Sequence, residues 1–140
     1  MLRADRTLLD YVPLEYPAVA DRRLAECLIE ASRQAGATCY EGLTLSVASF
    51  YPGSGFETAA GVLDETVLDR VHLCRKAGAL NVGAETSTVL VMSSLFGMRG
   101  GALLGIGNRL RSGEGSYLTG QSMLVRTALR GLQLLVEEQV

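Results

Sequence analysis

From Ala77 to Asn108 the chain carries only two charged side chains, Glu85 and Arg99. A stretch so poor in charge cannot face water along its length, so it must supply buried elements. Within it, Ala79-Leu-Asn-Val-Gly-Ala-Glu-Thr-Ser-Thr-Val-Leu-Val-Met92 reads as a short strand running into an apolar helix. Glu85 falls at the junction. Buried without partners, its carboxylate would cost several kcal/mol, roughly, so it needs donors. The free N–H groups and positive dipole end of the following helix would keep it ionised and an acceptor. Two readings stand at this point. Glu85 caps the helix that begins at Thr86 and Ser87, or it is a fixed acceptor for a hydroxyl-rich ligand such as a sugar.

The rest of the chain alternates in the same manner. Leu8 to Ala20 holds Pro13 and Pro17 and reads as irregular extended chain. Asp21 is a good N-cap for a helix with Leu24, Cys27, Leu28, Ala31 and Ala35 on one stripe, closed by Gly36. Thr38 to Phe50 is rich in β-formers and reads as a strand, broken by Tyr51-Pro-Gly-Ser-Gly55. A second helix runs from the Asp64 cap to Lys76, with Val67, Leu68 and Val71 inward and Gly78 as its stop. A strand around Leu80, a helix from Thr86 to Phe96 and a strand from Gly101 to Gly107 follow. The last helix spans Thr119 to Glu138, with Leu124, Ala128, Leu132, Leu135 and Val136 on its apolar face. Such alternation predicts a single α/β domain over residues 1–140, with helices covering a sheet. The loop Leu110 to Tyr117 reads as a lid or surface loop.

Bulk properties exclude several classes. At 140 residues, 48% of them hydrophobic, the chain is globular and can bury about two-thirds of its unfolded surface. A net charge of −2 without a basic run argues against nucleic-acid binding, which needs clustered cations. Val89 to Met98 is too short and too interrupted to span a bilayer. Met1-Leu-Arg-Ala-Asp-Arg lacks the apolar core of a signal peptide. Cys27, Cys39, Cys74 and His72 offer no metal-ligand spacing, so no metal is expected, and the cysteines read as reduced core thiols of a cytoplasmic protein. His72 lies mid-helix and reads as surface or structural. Gly105-Ile-Gly107 lacks the third glycine of a dinucleotide fingerprint, Leu110 standing in its place. Arg99, among Gly97, Gly100 and Gly101, imitates an anion site but reads as a helix-ending turn.

The order of segments carries more information. Tyr11-Val-Pro-Leu-Glu-Tyr-Pro-Ala-Val-Ala-Asp21 precedes Gly42-Leu-Thr-Leu-Ser-Val-Ala-Ser-Phe-Tyr-Pro-Gly53. Then come Asn81-Val-Gly-Ala-Glu-Thr-Ser87 and Gly105-Ile-Gly-Asn-Arg109. In kind, order and separation these resemble the C-terminal half of the uridine phosphorylase branch of the nucleoside phosphorylase family, from Arg3 onward. The resemblance implies a partial nucleoside-phosphorylase-type α/β domain, a mixed sheet flanked by helices, with the N-terminal half absent. It implies a pentosyltransferase that cleaves the nucleoside N-glycosidic bond with inorganic phosphate, giving base and ribose 1-phosphate and using no other cofactor.

Residue by residue, the resemblance assigns Glu85 to the ribose hydroxyls. It assigns Phe50 to the aromatic against base and sugar, Ile106 and Gly107 to the base-pocket wall, and Arg109 to an arginine behind the base. Plain core packing is the competing reading of Phe50 and Ile106. A negative charge beside the sugar also suits the oxocarbenium character of glycosyl transfer. Where the family places a glutamine and an arginine that read the uracil edge, this chain has Ser54 and Phe56. Ala84 stands for the family's methionine, and Gly83 for a further glutamate. The glycine-rich phosphate loop and its arginines belong to the preceding half, so no phosphate-binding residue is expected in this chain and no catalytic residue is assigned. The expected partners are a nucleoside or ribose-containing ligand, and a second copy or a complementing N-terminal half along the open sheet edge. The competing function is an inactive nucleoside-binding or oligomerisation module.

Overall fold

A computed structural model describes residues 1–107 and 120–137. Three strands, β1 (Leu2–Arg3), β2 (Leu43–Ser46) and β3 (Ala79–Gly83), form one sheet in the order β1-β2-β3. Helices α1 (Arg22–Gln34), α2 (Glu65–Lys76), α3 (Thr86–Leu95) and α4 (Gln121–Glu137) accompany it, with a 3₁₀ turn at Pro52–Ser54. Both strand pairings are parallel, with Leu2 opposite Leu45 and Leu45 opposite Val82. The α/β class therefore holds, while the described sheet is parallel where a mixed one was expected.

The residue alternation of β2 sets the layers. Successive side chains on a strand point to opposite faces. Leu45 and Val47 are buried together with Val71 of α2, whereas Ser46 turns the other way and meets Ser87 of α3. One helix thus covers each face. Beyond α3, Leu90 and Val91 pack with Leu8, Val12 and Ala18. The irregular segment between β1 and α1 therefore supplies core rather than linker. Its backbone is held by Arg3, whose guanidinium donates to the carbonyls of Pro13 and Tyr16, each at 3.0 Å. Two residues further along the chain the Asp5 side chain is wholly buried, and neither carboxylate oxygen has a hydrogen-bond partner.

Helix starts follow the sequence signals. Asp21 accepts from the Leu24 N–H at 2.8 Å, and Asp64 accepts from the Thr66 N–H at 2.9 Å. Gly36 and Gly78 close α1 and α2 with φ of 68° and 95°, a conformation that costs glycine little. Leu24, Cys27, Leu28 and Ala31 are buried on α1 as expected, but Ala35 is its exposed C-cap. On α2 only Val71 is fully buried.

Further expectations require correction. The Thr38–Phe50 strand shrinks to Leu43–Ser46, because β1 and β3 offer partners only there. Residues 101–107 form no strand, and no described segment pairs with them. On α4 the face against α1 centres on Thr127 and Gly131, leaving Leu132 and Val136 exposed. A Cβ on Gly131 would lie 2.7 Å from Leu28 Cδ2, so the two helices meet through a bare backbone. Finally, Cys27 alone is a core thiol; Cys39 is exposed and Cys74 half-buried. His72 is exposed on α2, as expected. Leu110–Tyr117 lies outside the described residues.

Candidate functional site

The candidate site lies where β2 and β3 end side by side and the chain turns into α3. The carboxyl ends of parallel strands are where α/β folds gather ligand-binding residues. The Val47 N–H donates to the Gly83 carbonyl at 2.9 Å, which fixes the two chain ends together. Ala84 and Glu85 then form the corner, and Thr86 opens the helix.

Glu85 occupies the N-cap position of α3 with helical backbone angles, φ −92° and ψ −18°, and its side chain makes no capping hydrogen bond. Capping normally needs an extended backbone at this position, so that the short side chain can reach back to the helix N–H groups. The capping reading is thereby overturned. Glu85 is exposed, and among the described residues its carboxylate has no hydrogen-bond partner.

The work of the cap is done from another strand. Ser46 Oγ lies 3.0 Å from Ser87 Oγ, 3.4 Å from the Ser87 backbone N and 3.1 Å from the Ala84 carbonyl oxygen. A hydroxyl has one proton and two acceptor positions. The Ser46 proton is shared between the Ala84 carbonyl and Ser87 Oγ, which both accept from it, while Ser46 Oγ itself accepts the Ser87 backbone N–H. Both serines are fully buried.

Of the other residues assigned through the resemblance, Ala84 alone is tied to this corner by a hydrogen bond. Phe50 is 51% exposed, with its ring edge-on to Tyr51 at 5.2 Å between centroids. Ile106 is 72% exposed. Plain core packing is excluded for both. Ser54 and Phe56 are half-buried, and both backbone N–H groups converge on the Tyr51 carbonyl, at 3.2 and 2.8 Å. Ala84 is half-buried and contributes the carbonyl that Ser46 holds. The 101–107 segment reaches the corner through Leu104, whose Cδ2 would stand 3.4 Å from a Cβ on Gly83. Gly107 is half-buried, and Arg109 lies outside the described residues. Arg99 is exposed just beyond the turn that Gly97 makes with φ 65°, which matches the helix-ending reading.

Sequence reasoning missed Ser46 and Ser87. The alternation of β2 marked Ser46 as a polar residue among buried ones, but nothing local tied it to a residue 41 positions away. Two shallow depressions, of about 390 and 460 Å³, lie between α1 and α4 and along α4, and none of the assigned residues lines them. Among the described residues no group of three His, Cys, Asp or Glu could hold a metal ion. No helix among them is long and apolar enough to cross a membrane.

A parallel sheet with helices on both faces, and an acidic residue at the mouth of its strands, agrees with the match of residues 2–134 to the model of the phosphorylase superfamily, and the chain belongs to that superfamily. Within it the chain is uridine phosphorylase-like. It is 34% identical to a uridine phosphorylase of Escherichia coli over 106 residues, which is 75% of this chain and 42% of that one. It is 30% identical to a uridine phosphorylase of Thermococcus kodakarensis over 137 residues, 97% of this chain and 49% of that one. A Haemophilus influenzae uridine phosphorylase is 32% identical over 106 residues, 75% of this chain and 42% of its own. The chain thus spans about half the length of the curated relatives it matches.

Proposed function

We propose that this chain is the C-terminal portion of a nucleoside phosphorylase of the uridine branch and carries the ribose end of a nucleoside site. The observation behind this reading is Glu85, a carboxylate exposed at the end of β3 whose capping duty Ser46 performs instead. Hydrogen bonds to a charged acceptor contribute about 1.5–3 kcal/mol each, so a free carboxylate here favours vicinal hydroxyls. The negative charge also favours positive charge developing on the sugar as the N-glycosidic bond breaks. Phosphate, the co-substrate and nucleophile, would be bound by a complementing half, which also covers the open strands β1 and β3. Completed in this way, the assembly converts nucleoside and phosphate into base and ribose 1-phosphate. The isolated chain is inactive, and its compartment is the cytoplasm.

Calorimetric titration with uridine tests the ribose reading. Glu85→Gln should weaken binding about tenfold or more, and equal affinity of the two proteins would refute it. Mixing in a separately produced N-terminal half from a uridine phosphorylase should restore phosphate-dependent release of base.

A second reading, a nucleoside-binding or oligomerisation module without catalysis, has its own support. Ser54 and Phe56 stand where the resemblance expects a glutamine and an arginine. A site without matched edge donors and acceptors discriminates bases poorly. Uridine, thymidine and inosine should then bind with similar affinity. Light scattering at micromolar concentration should show an oligomer, since an open parallel edge seeks a partner.

A further inference from the structure

We infer that Ser46 is a positioning residue for Glu85, acting as a helix cap supplied from the adjacent strand. This deepens the ribose reading above and rests on it. A residue at an N-cap ordinarily spends its side chain on the first free N–H groups of its own helix. Here the Ser87 N–H is directed to Ser46 Oγ, and the peptide just before Glu85 is held by the same oxygen through the Ala84 carbonyl. Glu85 is therefore bracketed on both sides, at Ala84 and at Ser87, by one buried hydroxyl.

Two consequences follow for the carboxylate. Its backbone is fixed, so its direction is set by a rigid frame rather than by an internal hydrogen bond. Its oxygens remain free to accept from a ligand. Had Glu85 capped its own helix, every ligand hydroxyl would have had to displace a backbone N–H. Transferring the cap to β2 removes that competition. The Ser87 hydroxyl completes the frame, 3.0 Å from Ser46 Oγ and wholly buried.

The test compares uridine with 2′,3′-dideoxyuridine, which lacks the vicinal hydroxyls, by calorimetric titration of the full chain. Wild-type protein should prefer uridine, and Ser46→Ala should reduce that preference about tenfold while still binding the dideoxy compound as the wild type does. Ser87→Ala leaves Ser46 on the Ala84 carbonyl and should reduce the preference by less. It carries the test if Ser46→Ala does not fold. A purely structural role would lower the melting temperature of either variant with the preference unchanged, and that result overturns the inference alone. Wild-type protein that shows no preference, or does not bind, overturns the ribose reading and this inference with it.

Discussion

The backbone N–H of Asp21 donates to the carbonyl of Gly100 at 2.7 Å, so the residue that caps α1 is also tied to the chain leaving α3. Its side chain meanwhile accepts from the Leu24 N–H. The two bonds use different groups of the same residue and fix the axis of α1 against the rest of the core. Asp21→Ala removes only the cap. It should lower stability by about 1 kcal/mol, read as a reduced urea midpoint at unchanged slope. Asp21→Asn or Asp21→Ser should recover most of the loss.

Glu85→Ala makes the opposite case. Because the side chain caps nothing, its removal should change stability by less than about 0.5 kcal/mol, the range of ordinary surface substitutions. A loss near that of Asp21→Ala, measured in the same urea titration, would restore the capping reading.

Gly131 offers a contest between two effects of known size. In an open helix, alanine for glycine gains about 1 kcal/mol. At Gly131 the new Cβ would meet Leu28 Cδ2 at 2.7 Å and the Leu28 backbone at 3.3 Å. The leucine tip can move but the backbone resists, and overpacking of this kind costs about 1–3 kcal/mol. Gly131→Ala should therefore lower the melting temperature, against the helix-propensity expectation.

Asp64 should govern part of the acid response. The Thr66 hydroxyl, and then the Thr66 N–H, hold its carboxyl below the ordinary value of 3.8. A carboxyl depressed in the folded state adds stability that is fully present above its unfolded value and is lost as pH falls through the folded one. The contribution is thus intact at neutral pH and disappears below about pH 4. Thr66→Val removes the hydroxyl, so carboxyl NMR titration should show the Asp64 midpoint moving up towards the unperturbed value.

Asp5 is a carboxylate wholly buried without a hydrogen bond. Burying such a group unpaired opposes folding. Asp5→Asn should raise the melting temperature of the isolated chain, a gain visible by calorimetry at neutral pH.

What could be read from the sequence had local causes. Asp21 and Asp64 announce α1 and α2 because a cap lies within three residues of the N–H it serves, and Gly36 and Gly78 end them through backbone freedom alone. Glu85 could be located because its surroundings hold almost no other charge. The features that escaped depend on distant chain. β1 is two residues long and exists only by pairing with β2. Residues 101–107 hold three glycines and one β-branched residue, Ile106, so their strand preference is weak, and without an adjacent strand among the described residues they have no ladder to join. On α4 several apolar stripes are possible, and the contact through Gly131 selects the one that reaches α1. The cap on α3 was hidden for the same reason, its donor and acceptor lying on different elements.

The pairing of Arg3 with Ser46 bears on how the molecule assembles in time. Parallel strands can meet only after the intervening chain has closed a long loop, which slows folding. Arg3 also holds the carbonyls of Pro13 and Tyr16, so the irregular segment cannot settle until β1 has docked. Helices α1 and α2, built on local caps, can form early. The Ser46 frame around Glu85 must await the meeting of β2 with α3. The corner that bears Glu85 is thus among the last parts of the protein to become native, and pulsed hydrogen exchange would register the Ser87 amide as a late-protected probe.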